Sequence, residues 1–87
     1  MSIKEFIKKR PYLIWYVKDY DSLSTEAIVE ATLNYGSWDD VQKMLKIVGL
    51  KEAAEIFRKQ TGGFRTNYDK ETKNYFSLYF NKYVKTT

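Results

Sequence analysis

Proton shuttling near neutral pH and metal binding through imidazole or thiolate are closed to this 87-residue chain, because it holds no histidine and no cysteine. Its remaining reactive groups are carboxylates, lysines, arginines and an unusual number of aromatic rings. The carboxylates offer two closely spaced pairs, Asp19/Asp21 and Asp39/Asp40. Asp39 and Asp40 diverge by about 100° on a helix, and neither pair has further oxygen ligands at the loop spacing of a hard-cation site. Helix capping and solvation account for both pairs, so no metal and no cofactor is expected. Gly62-Gly63 lacks the strand and the Lys-Ser/Thr pair of a phosphate loop, and reads as a helix stop. With no convergent set of acid, base and nucleophile, the expectation is a protein that does not catalyse.

The aromatic residues are the more informative set. Tyr75, Phe76, Tyr79, Phe80 and Tyr83 fall within about 140° of one helical face at a 100° step per residue. Phe76, Tyr79 and Phe80 near the centre of that stripe are expected to close a core. Tyr75 and Tyr83 lie at its margins, where a phenol buries its ring and keeps its hydroxyl wet, a combination enriched in protein interfaces. Of the two tryptophans, Trp15 is expected to anchor the core. Trp38 stands at the first turn of a helix, half exposed to a partner. The expected protein-contacting set is Trp38, Tyr75, Tyr79 and Tyr83.

A second set could meet nucleic acid. A helix, Gly49 and another helix are compatible with a helix-turn-helix, whose second helix would present Lys51, Arg58 and Lys59. With Lys43, Lys46 and Arg65 these form the alternative nucleic-acid-binding set. Glu52 and Glu55 share that exposed face, and Lys51/Glu55 and Glu55/Lys59 are i,i+4 pairs that neutralise one another.

These side chains must be positioned by a mainly helical domain. A chain of this length encloses one core and not two, and 44% hydrophobic with 17% aromatic residues suffices to fold it. Ile3, Phe6 and Ile7 recur at helical spacing behind Ser2, a candidate cap, and Pro11 ends that first helix. Residues 12–17 are an aromatic and β-branched run too short to assign to a helix, and are equally compatible with a short strand or an extended segment pinned by Trp15. Ser24 and Thr25 cap a helix over residues 25–35. Ile28, Ala31, Thr32 and Tyr35 form one apolar stripe on it and Val29 and Leu33 a second, so it should be the central helix. Ser37-Trp-Asp-Asp40 reads as a capping box opening a helix over residues 38–48, with Val41, Met44, Leu45 and Val48 inward. After Gly49 the next helix runs from Leu50 to about residue 60 with Ala53, Ala54, Ile56 and Phe57 inward. Residues 64–68 read as a linker before a last helix over about residues 69–84. The expected fold is an all-α bundle of four to five helices in one domain spanning residues 1–87.

Charge is segregated along this framework. Residues 1–18 carry five Lys/Arg against one Glu, residues 19–40 carry six acids and no base, and residues 41–87 carry ten bases against four acids. Opposed charged surfaces suit oriented docking. No run approaches the roughly 18 apolar residues of a membrane span, and Lys4 and Glu5 interrupt any apolar N-terminal run, so a cytoplasmic location is expected.

Four segments resemble a family of short bacterial proteins of unknown function, often encoded beside nucleotidyltransferase toxins of the abortive-infection type and regarded as their antitoxins. They are Leu13-Ile-Trp15 before an acidic stretch, Ile28 to Tyr35 closing in Gly36, Trp38-Asp-Asp-Val-Gln-Lys-Met-Leu45, and Lys70-Glu-Thr-Lys-Asn-Tyr-Phe-Ser-Leu-Tyr-Phe80. Together they cover about residues 12–83. The last is the most specific, since the family's final helix looks like Lys-x-Thr-x-Asn-aromatic-aromatic, matched by Lys70, Thr72, Asn74, Tyr75 and Phe76. The chain departs from the pattern at Tyr16, where the family tends to be acidic, and at Val48-Gly49, where it tends to have Tyr-Gly. The resemblance implies a noncatalytic antitoxin that binds a nucleotidyltransferase and holds it inactive, and it implies no binding residues. Two alternatives stand beside it: a small basic nucleic-acid-binding protein or autorepressor, and a phage-encoded inhibitor of a bacterial enzyme.

Overall fold

The computed structural model describes residues 2–14, 22–62 and 68–84. Among them are five α-helices, α1 (Ile3–Lys8), α2 (Thr25–Tyr35), α3 (Trp38–Val48), α4 (Leu50–Thr61) and α5 (Lys70–Tyr83), and no strand. The expected all-α bundle of four to five helices is therefore observed. Trp15, Asp19, Asp21, Gly63 and Arg65 lie outside the described residues.

Four of the five helices begin where a short polar side chain takes up an orphaned backbone N–H. Ser2 accepts from the Glu5 N–H at 3.2 Å, Ser24 from Ala27 at 3.1 Å, Ser37 from Asp40 at 3.2 Å and Asp69 from Thr72 at 2.8 Å. At α3 the exchange is reciprocal, because the Asp40 carboxylate also accepts from the Ser37 N–H at 3.2 Å and completes the capping box. The fifth helix, α4, follows α3 after the single residue Gly49, whose φ of 97° is strained for any side chain.

Of residues 12–17, whose state the sequence leaves open, only 12–14 are described. Pro11–Leu13 form a 3-10 turn, with Ile14 N–H donating to the Pro11 carbonyl at 3.1 Å, instead of an extended segment. Proline at the first position fixes φ for such a turn, and the turn swings Leu13 and Ile14 into the core.

α2 is the central helix, packing on α1, the 3-10 turn, α3 and α4. Ile28, Val29, Ala31, Thr32 and Leu33 are buried on it. Thr32 is tolerated there because its hydroxyl donates to the Ile28 carbonyl at 2.7 Å. Tyr35, expected in its apolar stripe, is exposed instead, at the last position of the helix. On α3 Val41, Met44 and Leu45 are buried, and on α4 all four expected positions are.

Tyr68 is a second correction. Read as linker, it is buried against Phe57, with ring centroids 5.1 Å apart, and its hydroxyl donates to the Gln60 side chain. Burial, with a smaller effect of the Glu30 charge, pushes that phenol above its ordinary range. Gln60 in turn donates to the Glu26 carbonyl at 2.9 Å, so one amide ties the end of α4 to the start of α2. α5 leans chiefly on α4, through Phe76 and Phe80 against Phe57. One side of α5 is thereby left for other uses.

Candidate protein-interaction site

Trp38 is held at the first position of α3 by the Ser37–Asp40 capping box, which fixes where that helix starts. From there its ring meets α5 edge to face, 6.4 Å from Tyr75 at 90° and 5.5 Å from Tyr79 at 83°. Such perpendicular pairs contribute about 0.5–1.5 kcal/mol beyond their burial. Tyr83 continues the row, 4.8 Å from Tyr79. All four residues expected from the sequence to contact protein therefore converge on one surface. Tyr79 is its half-buried centre, and Trp38 (44% exposed), Tyr75 (53%) and Tyr83 (56%) are its open margins. Burial, and then the neighbouring Tyr83 and Tyr75, raise the Tyr79 phenol above its ordinary range, so its hydroxyl stays a protonated donor throughout the neutral range.

Two further residues complete the surface and were not singled out from the sequence. Leu78 and Lys82 line, with the four aromatics, a groove of about 360 Å³. Leu78 is 64% exposed, more than any other large apolar residue among those described. A helical wheel carries the signal for it, since Leu78 sits 60° from Tyr75 on the side away from Phe76 and Phe80; an aromatic stripe drawn from ring residues alone passes over it. A second apolar groove adjoins the first at Tyr79 and is lined by Gln42, Leu45, Lys46 and Leu50.

On the other side of α3 the lining changes from aromatic to basic. Lys9, Arg10, Tyr12, Lys43, Lys46 and Ile47 surround a groove of about 530 Å³. Beneath it lies a buried polar node that sequence reading missed. Arg10 donates to Asp40 at 2.8 Å and to the Phe6 carbonyl at 3.1 Å, its guanidinium stacks over the Phe6 ring at 4.2 Å, and the Tyr12 hydroxyl donates to the other Asp40 oxygen at 2.7 Å. Burial of Asp40 (5% exposed) would raise its carboxyl pKa, but the hydrogen bonds from Tyr12, Arg10 and Ser37 outweigh burial and hold it below the ordinary carboxylate value. Desolvation and the same contact raise the Tyr12 phenol. Arg10 and Asp40 are 30 residues apart, so no local spacing announces the pair.

The expected nucleic-acid set is not gathered in this way. Lys43 and Lys46 flank the basic groove, where Lys43 pairs with the exposed Asp39 at 3.0 Å. Lys51 stands exposed on α4. Lys59 lies among Glu26, Glu52 and Glu55, and Arg58 turns inward to donate to the Val84 carbonyl at 3.3 Å. Among the described residues no group of three or more Asp or Glu is arranged to hold a metal ion, and no helix is long and apolar enough to cross a membrane. Neither a protein family, nor a curated protein, nor a solved structure gives a significant match to this chain.

Proposed function

We propose that this chain is a noncatalytic protein-binding module, and that its docking surface is the α3–α5 groove of Trp38, Tyr75, Tyr79 and Tyr83. The observation that supports this reading is the convergence of exposed Trp and Tyr from two helices on a concave surface around a half-buried centre. Trp and Tyr dominate binding energy at interfaces because each presents a large rigid apolar area together with a polar donor. Lys82 beside the groove and Lys46 beside the adjoining one favour a partner whose apolar anchor is ringed by acids.

The resemblance of the Lys70 to Phe80 segment to the antitoxin family supplies the class of partner. That partner is a nucleotidyltransferase toxin, held inactive by occlusion of its active cleft or substrate path. The acidic, metal-binding centre of such an enzyme would complement a basic-rimmed aromatic helix. Coexpression with the product of the neighbouring gene tests the reading. A copurifying complex and relief of that product's toxicity are expected, and a toxin that neither binds the chain nor is relieved by it would refute the proposal.

The groove of Lys9, Arg10, Lys43 and Lys46 favours a second reading, in which the chain binds nucleic acid such as its own promoter. That reading requires affinity that falls steeply with salt, as phosphate contacts release counterions. Absent or salt-independent binding would exclude it.

A further inference from the structure

The outward side of α5 sets two large apolar side chains between two charged ones. At a 100° step per residue, Glu71, Tyr75, Leu78 and Lys82 lie within about 60° of one another, on the side away from the buried Phe76 and Phe80. All four are exposed. Their spacing of four, three and four residues is that of the seam between two paired helices. The order along the seam is acid, aromatic, aliphatic, base. Neither Glu71 nor Lys82 has a salt-bridge partner among the described residues; Lys82 reaches only the adjacent Tyr83 ring, at 5.4 Å.

We infer that a second copy of this chain covers that seam, through an antiparallel two-fold pairing of α5 with α5. The two-fold that places Tyr75 against Leu78 of the second copy also places Glu71 against its Lys82. Symmetry repeats both contacts, so one apolar centre is closed at each end by an ion pair. A parallel pair would set Glu71 on Glu71 and Lys82 on Lys82, so the charge order selects the antiparallel arrangement. Trp38, beside Tyr75, extends the rim of this contact on α3. One four-residue seam falls short of the roughly 1,600 Å² of a standard stable interface, so the dimer is a weak, concentration-dependent one. It does not rest on the toxin reading. Tyr75, Leu78 and Lys82 belong to both surfaces, so a second copy and a bound partner compete for them.

Sedimentation equilibrium of the full chain from micromolar to millimolar concentration tests the inference. Wild type is expected to pass from monomer to dimer. Glu71→Lys and Lys82→Glu, both at exposed positions, should each weaken self-association by about tenfold or more, since each turns two attractions into two repulsions. An equimolar mixture of the two variants, or the double variant E71K/K82E, restores opposite charges at both ends and should restore the dimer. Circular dichroism confirms that each variant is folded. A wild type that stays monomeric, single variants that dimerise like wild type, or a mixture that fails to recover the dimer would overturn the pairing.

Discussion

A carboxylate as buried as Asp40 is tolerated only while its hydrogen-bond donors stay in place. Removing Arg10 leaves that charge to Tyr12 and Ser37, and Arg10→Ala is expected to cost about 2–3 kcal/mol in urea unfolding at neutral pH. The pH dependence follows from the sign of the shift. Because the folded pKa of Asp40 lies below its ordinary value of 3.8, its contribution is complete above that value and disappears as pH falls through the lower folded one. Asp69, held down by the Thr72 N–H it caps, acts in the same direction. Asp40→Asn should therefore lower stability at pH 7 and flatten its loss below about pH 4. Acid unfolding as steep in this variant as in wild type would refute the assignment. The capping role of Asp40 was legible because Ser37 and Asp40 are three residues apart. Its pairing with Arg10 was not, because the fold alone brings α1 to α3. Trp38, Tyr75 and Tyr83 were legible as exposed from their helical positions, whereas Leu78 was overlooked because a single leucine carries no compositional signal.

The bounds of α2 and α3 matched the reading of the sequence because both ends of each are written locally, in Ser24 and Gly36 and in Ser37 and Gly49. The two glycines serve different purposes. Gly49 has open space where a Cβ would lie but a φ of 97°, so Gly49→Ala is expected to cost about 1–2 kcal/mol through backbone strain alone. Gly36 has an ordinary φ, but a Cβ there would come within 2.6 Å of the Thr32 carbonyl oxygen and 3.1 Å of the Asp40 Cβ. Gly36→Ala should cost at least as much, by pushing α2 and α3 apart at the node. Thermal unfolding followed by circular dichroism separates these outcomes from no effect. The 3-10 turn at Pro11–Leu13 and the burial of Tyr68 were not legible, because both depend on a core surface assembled by other helices.

Over the whole molecule, surface character changes around α3, from the aromatic groove against α5 to the basic groove against α1. Small domains rarely leave Trp, Tyr and Leu together on one open surface without a partner for them. The all-α architecture followed from periodicity and caps, and so did membership of most core positions. Which exposed residues meet in space did not, since Trp38 and Tyr75 are joined only by the docking of α5 beside the start of α3. The central claim is that this meeting point binds protein, and calorimetric titration of the proposed partner toxin into wild type and into Trp38→Ala and Tyr83→Ala tests it most directly. Both side chains are substantially exposed, so the variants should stay folded, although Trp38→Ala also removes two edge-to-face ring pairs and should lower the unfolding free energy by about 1–3 kcal/mol. Each is expected to lose about 2 kcal/mol of binding, close to thirtyfold in affinity. Variants that fold and bind the toxin as tightly as wild type would contradict the account.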